Sequence, residues 1–131
     1  MGINDLETTA YSLDDFIQCC RDNPKRVNVF YDAELNAREQ FGINSKADLL
    51  DFIGNHGLED LTYINTKPFE NNQKKGKDIL IDAYKFRSNN KLGYIAFMKG
   101  VSGQYVIKSF HLDNVKLTLK DIGSNTKKLL R

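Results

Sequence analysis

Only two of the 131 residues are histidines, His56 and His111, and histidine is the side chain that takes or gives a proton close to neutral pH. His111 lies at the end of "QYVIKSFHL" and Tyr94 lies inside "LGYIAFMK", two runs joined by the short connection "GVSG". A third run, "DILIDAYKFR", supplies Lys85 and Arg87. An imidazole, a phenol and two cations on one surface are the groups that metal-free RNA cleavage requires. The RNA 2′-hydroxyl attacks the neighbouring phosphorus, a base takes its proton, and an acid protonates the departing 5′-oxygen. Lysine and arginine hold the phosphate oxygens and offset the charge that builds there, while tyrosine stacks on a base or assists proton transfer. The competing reading of His111 is a solvated strand-end residue. His56, in "GNHG", reads as a helix-end residue interacting with free carbonyls.

Other chemistries fit less well. Residues 61–131 contain five Asp and Glu, too few to suggest a two-metal nuclease. Gly93, Gly100 and Gly103 belong to hairpins rather than to a phosphate-cradling loop, and no nucleophile with a histidine and acid partner is recognisable. No metal site or cofactor is expected. Cys19 and Cys20 are adjacent, so a disulfide between them would be strained, and no further ligands stand at metal-binding spacing. They read as reduced thiols in a cytoplasmic protein, with Cys20 the more buried. No apolar run approaches the length of a membrane span.

Charge is divided unevenly. Residues 1–60 contain 5 Lys and Arg against 12 Asp and Glu, whereas residues 61–131 contain 14 against 5. A basic half of this kind favours polyanions. Lys67, together with Lys74, Lys75 and Lys77 of the "KKGK" loop, is expected to steer RNA by charge.

The elements that must position these residues change character near Leu58. "SLDDFIQCCRDN" is a helix, with Ser12 as N-cap and Leu13, Phe16, Ile17 and Cys20 on one face. "RVNVFY" is a short strand or an extended lead into the next helix. "DAELNAREQFG" is helical, capped by Asp32 and ended by Gly42. "NSKADLLDFIGNHG" is a third helix, capped by Asn44 or Ser45, with Leu49, Leu50 and Ile53 inward. Beyond it the period becomes two: "DLTYINT", "DILIDAYKFR", "LGYIAFMK" and "QYVIKSFHL" are strands of an antiparallel meander, joined by turns such as "SNNK" and "GVSG". "VKLTL" adds a last short strand. The expected fold is a single α+β domain over residues 1–131, in two layers. A flexible start (1–11) and a helical part (12–57) precede an antiparallel sheet of about four strands (58–119) and a basic tail (120–131), with the helices on one sheet face.

Alternation then divides the sheet residues. With Tyr84, Phe86, Ile95, Phe97, Val106 and Phe110 directed to the core, the other face carries Lys85, Arg87, Tyr94 and His111. The same division sends Asp82 and Lys108 to the core side, which is costly for charged groups.

This layout resembles the small ribonucleases of the barnase–EndoU–colicin–RelE superfamily, most of all the MqsR-type toxins, over roughly residues 12–113. "GLEDLTYINT" is similar to that family's approach to its first long strand, and "DAYKFR" to its Asp-x-Tyr-Arg-x-Arg stretch. "GYIAF" is similar to a strand with tyrosine second, and "VIKSFH" to a last strand ending Ser-Phe and a basic residue. The resemblance puts Tyr94 on the family's strand tyrosine and His111 on its terminal lysine. Ile81 stands where the family has glutamine, and Lys67 lies near, by a shifted alignment, its first-strand lysine. The implied activity is that of a metal-independent endoribonuclease, a toxin or effector leaving 2′,3′-cyclic phosphate ends. RNA would be its substrate, and its partner an antitoxin or immunity protein with an acidic segment. In that reading His111 and Tyr94 move protons while Lys85 and Arg87 bind the scissile phosphate. The alternative is a non-catalytic basic binding protein, such as a phage-encoded inhibitor or a nucleic-acid-binding accessory factor, which the departures at Ile81 and Lys67 favour.

Overall fold

A computed structural model describes residues 8–69 and 79–113. The "KKGK" lysines, the "VKLTL" segment and the basic tail lie outside the described residues. Within them the fold is α+β, with three α-helices and one mixed sheet of five strands.

Helix α1, Leu13–Asp22, starts where the Ser12 hydroxyl accepts the Asp15 N–H at 3.1 Å, and Asp14 and Asp15 occupy its first turn. This is the side-chain cap and charge bias that helix N-termini favour. Pro24 opens a 3₁₀ turn, Pro24–Arg26, from which the chain enters β1, Val27–Val29. Helix α2, Tyr31–Phe41, begins at Phe30 without a side-chain cap; Asp32 sits inside its first turn rather than capping it. Gly42, at φ 73°, ends it, a left-handed conformation that costs glycine little. Helix α3, Lys46–Gly54, is capped by the Ser45 hydroxyl and buries Leu49, Leu50 and Ile53.

The meander comprises β2, Glu59–Pro68, β3, Leu80–Ser88, β4, Lys91–Lys99, and β5, Tyr105–Leu112. Asn89 and Asn90 both have positive φ between the paired residues Ser88 and Lys91. That is the two-residue turn whose twist suits a hairpin. The sheet order is β1-β5-β4-β3-β2, and β1 joins β5 in parallel, Val27 opposite Tyr105 and Val29 opposite Ile107. The sheet therefore has five strands, not four, and the fifth comes from the helical half. The short strand read in "RVNVFY" is β1; its parallel place beside β5 is what alternation over three residues could not give.

The helices cover one sheet face. Phe16 of α1 stacks on Phe97 of β4 at 3.9 Å between ring centroids, and Phe41 of α2 packs against Phe110 at 5.0 Å and Phe86 at 5.7 Å. Gly93 lacks a side chain because Phe86 fills its space: a β-carbon there would lie 2.2 Å from the Phe86 ring. Residues 8–11, part of the start expected to be flexible, are tied to the core. The Ala10 and Tyr11 N–H groups donate to Asp82, and the Tyr11 ring lies 6.0 Å from that of Phe97.

Inside this core, burial raises the Cys20 thiol to about 12 from its ordinary 9.0 and, helped by Asp82 and Tyr63, the Tyr84 phenol to about 12 from 10.0. An unfolded chain releases these protons near 9 and 10, and the folded chain keeps them. Between those limits the unfolded state binds fewer protons, so stability must fall as pH rises. Their contribution is complete below about pH 9 and lost through about pH 12. Denaturant titrations at increasing alkaline pH should show the midpoint falling, and Cys20→Ala together with Tyr84→Phe should flatten that fall. An unchanged midpoint up to pH 11 would contradict this origin.

Candidate functional site

The sheet face away from the helices carries the residues capable of chemistry, and the strand register explains why. Tyr94 on β4 is the direct cross-strand partner of His111 on β5, and Lys85 on β3 is the partner of Tyr94 on its other side. The Tyr94 and His111 rings stack, with centroids 4.9 Å apart and planes 14° apart.

His111 is oriented from behind. The Gln40 side-chain oxygen, at the end of α2, accepts the Leu112 N–H at 2.7 Å, fixing that peptide. The Leu112 carbonyl lies 2.7 Å from His111 Nδ1. A carbonyl can only accept, so Nδ1 carries the hydrogen and, in the neutral ring, Nε2 keeps the lone pair. Tyr94 complements it. Burial first, and the Asp113 carboxylate second, raise its hydroxyl above the ordinary phenol value. Tyr94 therefore holds its proton throughout the neutral range and can donate it.

The cations are arranged less simply. Lys85 Nζ lies 3.7 Å from the buried carboxylate of Asp113. Arg87, two residues along β3, donates through Nε to Asp60 at 3.3 Å. Both cations proposed for the scissile phosphate thus already face a carboxylate. Lys67, on β2, stands opposite Ile81 and is not ion-paired among the described residues; nor is Lys108. Lys74, Lys75 and Lys77 lie outside the described residues.

Lys108 corrects the expected alternation. Ala96 faces Ser109 while Phe97 faces Ile107, so Lys108 is the extra residue of a β-bulge. The bulge turns Tyr105 and Ile107 into the core along with Phe110 and leaves Val106 on the other face. Lys108 does not face the core: it lines a groove with Lys67 and Tyr94 on the side away from the helices. Sequence reasoning missed both Lys108 and Asp113. "YVIKSF" contained the signal for the first, since its apolar residues follow two opposite parities. The second continues the parity of His111 past the strand end.

The chain matches no family model, no curated protein and no solved structure. Its side chains must carry the functional reading.

His56 is remote from this chemistry. It is exposed, in a left-handed conformation at φ 65°, and its backbone N–H, rather than its ring, donates to the Ile53 carbonyl. Among the described residues, no group of three or more His, Cys, Asp and Glu side chains could hold a metal ion, and no helix is long and apolar enough to cross a membrane.

Proposed function

We propose that the protein is a metal-independent endoribonuclease. The reading is supported above all by the stacked Tyr94–His111 pair, whose ring hydrogen bond leaves His111 Nε2 as a base beside a proton-bearing phenol. His111 Nε2 takes the proton from a ribose 2′-hydroxyl. The bond from O2′ to phosphorus forms as the bond to O5′ breaks, and the 5′-oxygen leaves with the Tyr94 proton. A phenol is a stronger acid than the ribose hydroxyl it generates, even with its pKa raised. Passing the proton from His111 back to the Tyr94 phenolate restores both groups. Lys85 adds positive charge beside Tyr94, tempered by Asp113, and Lys67 and Lys108 attract the RNA backbone along the neighbouring groove. An acidic segment of an antitoxin or immunity protein would compete for the same cations.

Incubation of the purified protein with total RNA in EDTA should yield fragments with 2′,3′-cyclic phosphate ends, with cleavage weakening steeply as salt rises. Intact RNA at low salt, with or without added divalent cations, would remove the enzymatic reading. Binding without turnover would then identify a nucleic-acid-binding accessory factor.

A further inference from the structure

We infer that the groove between Lys67 and Lys108 is a nucleotide subsite. It takes one unpaired RNA base, the Asn65 amide reads that base's edge, and the two lysines hold the flanking phosphates. The inference rests on the ribonuclease reading and extends it from chemistry to the choice of sequence.

The groove encloses roughly 290 Å³. That is close to the lower end of ligand pockets, roughly 300 Å³, suited to a single base and too small for a duplex. Its floor is made by Ala83 and Ala96, directly paired across β3 and β4 and only 2% and 1% exposed. Methyl groups there leave room that longer side chains would fill. Tyr94, the cross-strand partner of His111, and Phe69, just beyond the end of β2, both line the groove. Aromatic rings accept any base by stacking, so discrimination must come from a polar group.

Asn65 is that group. It stands opposite Ala83 on β2, lines the groove, and its side-chain amide makes no hydrogen bond to the described residues. An amide offers an acceptor beside a donor, the complement of adenine N6–H and N7. Of the groove's lining residues, Lys67 and Lys108 are charged and none is acidic. These are the two cations on this face that lack a carboxylate among the described residues. A polyanion would supply what they lack.

The test measures binding of short 2′-O-methyl homopolymers of A, C, G and U, which lack the attacking hydroxyl and so separate binding from cleavage. Native protein should bind the A oligomer tightest, by about tenfold over the weakest base. Asn65→Ala, which removes no hydrogen bond to the described residues, should bring all four to within about twofold while keeping the salt slope. Lys67→Ala and Lys108→Ala should weaken all four alike and flatten that slope by about one phosphate contact each. Equal affinities in the native protein, a preference that survives Asn65→Ala, or no binding at low salt would each overturn the subsite. Base-selective binding with no cleavage of ordinary RNA would keep the subsite and remove the ribonuclease reading. Cleavage with no base selectivity would do the reverse.

Discussion

Replacing His111 with alanine should lower RNA cleavage by about 10²–10⁴-fold, the usual loss when a positioned acid or base is removed. The fold should survive. His111 is half-buried on the face away from the helices. Alanine removes its hydrogen bond to the Leu112 carbonyl and its stack on Tyr94, the stack being worth about 0.5–1.5 kcal/mol beyond the area it buries. Alanine removes both the stack and the proton transfer, so His111→Phe separates them. Phenylalanine keeps a ring against Tyr94 and has no nitrogen, and should be stable but inactive. Tyr94→Phe keeps the stack from the other side and removes the proton donor. Its cleavage should also fall, and the native alkaline limb of the pH–rate profile should disappear with the hydroxyl. Melting curves recorded beside cleavage rates distinguish chemistry from packing. A His111→Phe protein as active as the native one would show that the pair only packs.

The site was legible in the sequence to the extent that alternation held. The pairing of β4 with β3 has no register shift from Lys91 to Met98. Counting by twos from Ile95 and Phe97 therefore puts Tyr94 on the opposite face, even though Ala96 and Met98 on that face are buried too. The short turn makes the strand of His111 its neighbour, but their direct pairing was not legible. The register beside the turn, Lys99 with Tyr105 through Phe97 with Ile107, would set Tyr94 opposite Phe110, and the bulge shifts it to His111. Alternation fails at a bulge, and β5 has one at Lys108. His111 lies beyond it and Val106 before it, so a single parity rule could place one of them correctly but not both. Asp82 and Lys108 looked like equal liabilities on the core side. One is truly buried, and the bulge carries the other to the groove.

Charge was harder to read than position. Composition locates the basic half but not the pairing of each cation. Lys85 meets Asp113 from beyond the end of β5, and Arg87 meets Asp60, which lies at a register shift in β2 and has φ 50°. Neither partner is close in sequence, so these pairings depend on the folded sheet. Helices were clearer because caps and apolar stripes are local: Ser12, Ser45 and Gly42 each sit at the boundary they signal. Strand β1 was the least legible element, since its parallel pairing with β5 spans most of the chain.

Asp82→Ala should destabilise the protein by about 3–5 kcal/mol: three charge-assisted bonds at roughly 1.5–3 kcal/mol each are lost, offset in part because alanine does not incur the desolvation cost of a buried carboxylate. Asp82 has no solvent exposure. It accepts the Ala10 N–H at 3.0 Å, the Tyr11 N–H at 2.9 Å and the Thr66 hydroxyl at 2.5 Å. Since the single Thr66 proton points at Asp82, Thr66 must accept from the Tyr63 hydroxyl, 2.5 Å away. The carboxylate thus closes β2 onto β3 and fastens the segment ahead of α1, which brings the Tyr11 ring against Phe97 and Tyr105. Alanine would leave Thr66 without an acceptor and free residues 8–11 to leave the core. Asparagine should rescue little despite its shape. All three partners are donors, and the amide would present two more hydrogens to them. Urea titration should place both variants well below the native midpoint, with new protease cleavage ahead of Leu13. RNA cleavage per folded molecule should be retained, because Asp82 faces the helices whereas its neighbours Ile81 and Ala83 face the groove. An Asp82→Asn protein within about 1 kcal/mol of the native one, the typical effect of an ordinary substitution, would show that the charge is not what holds this corner closed.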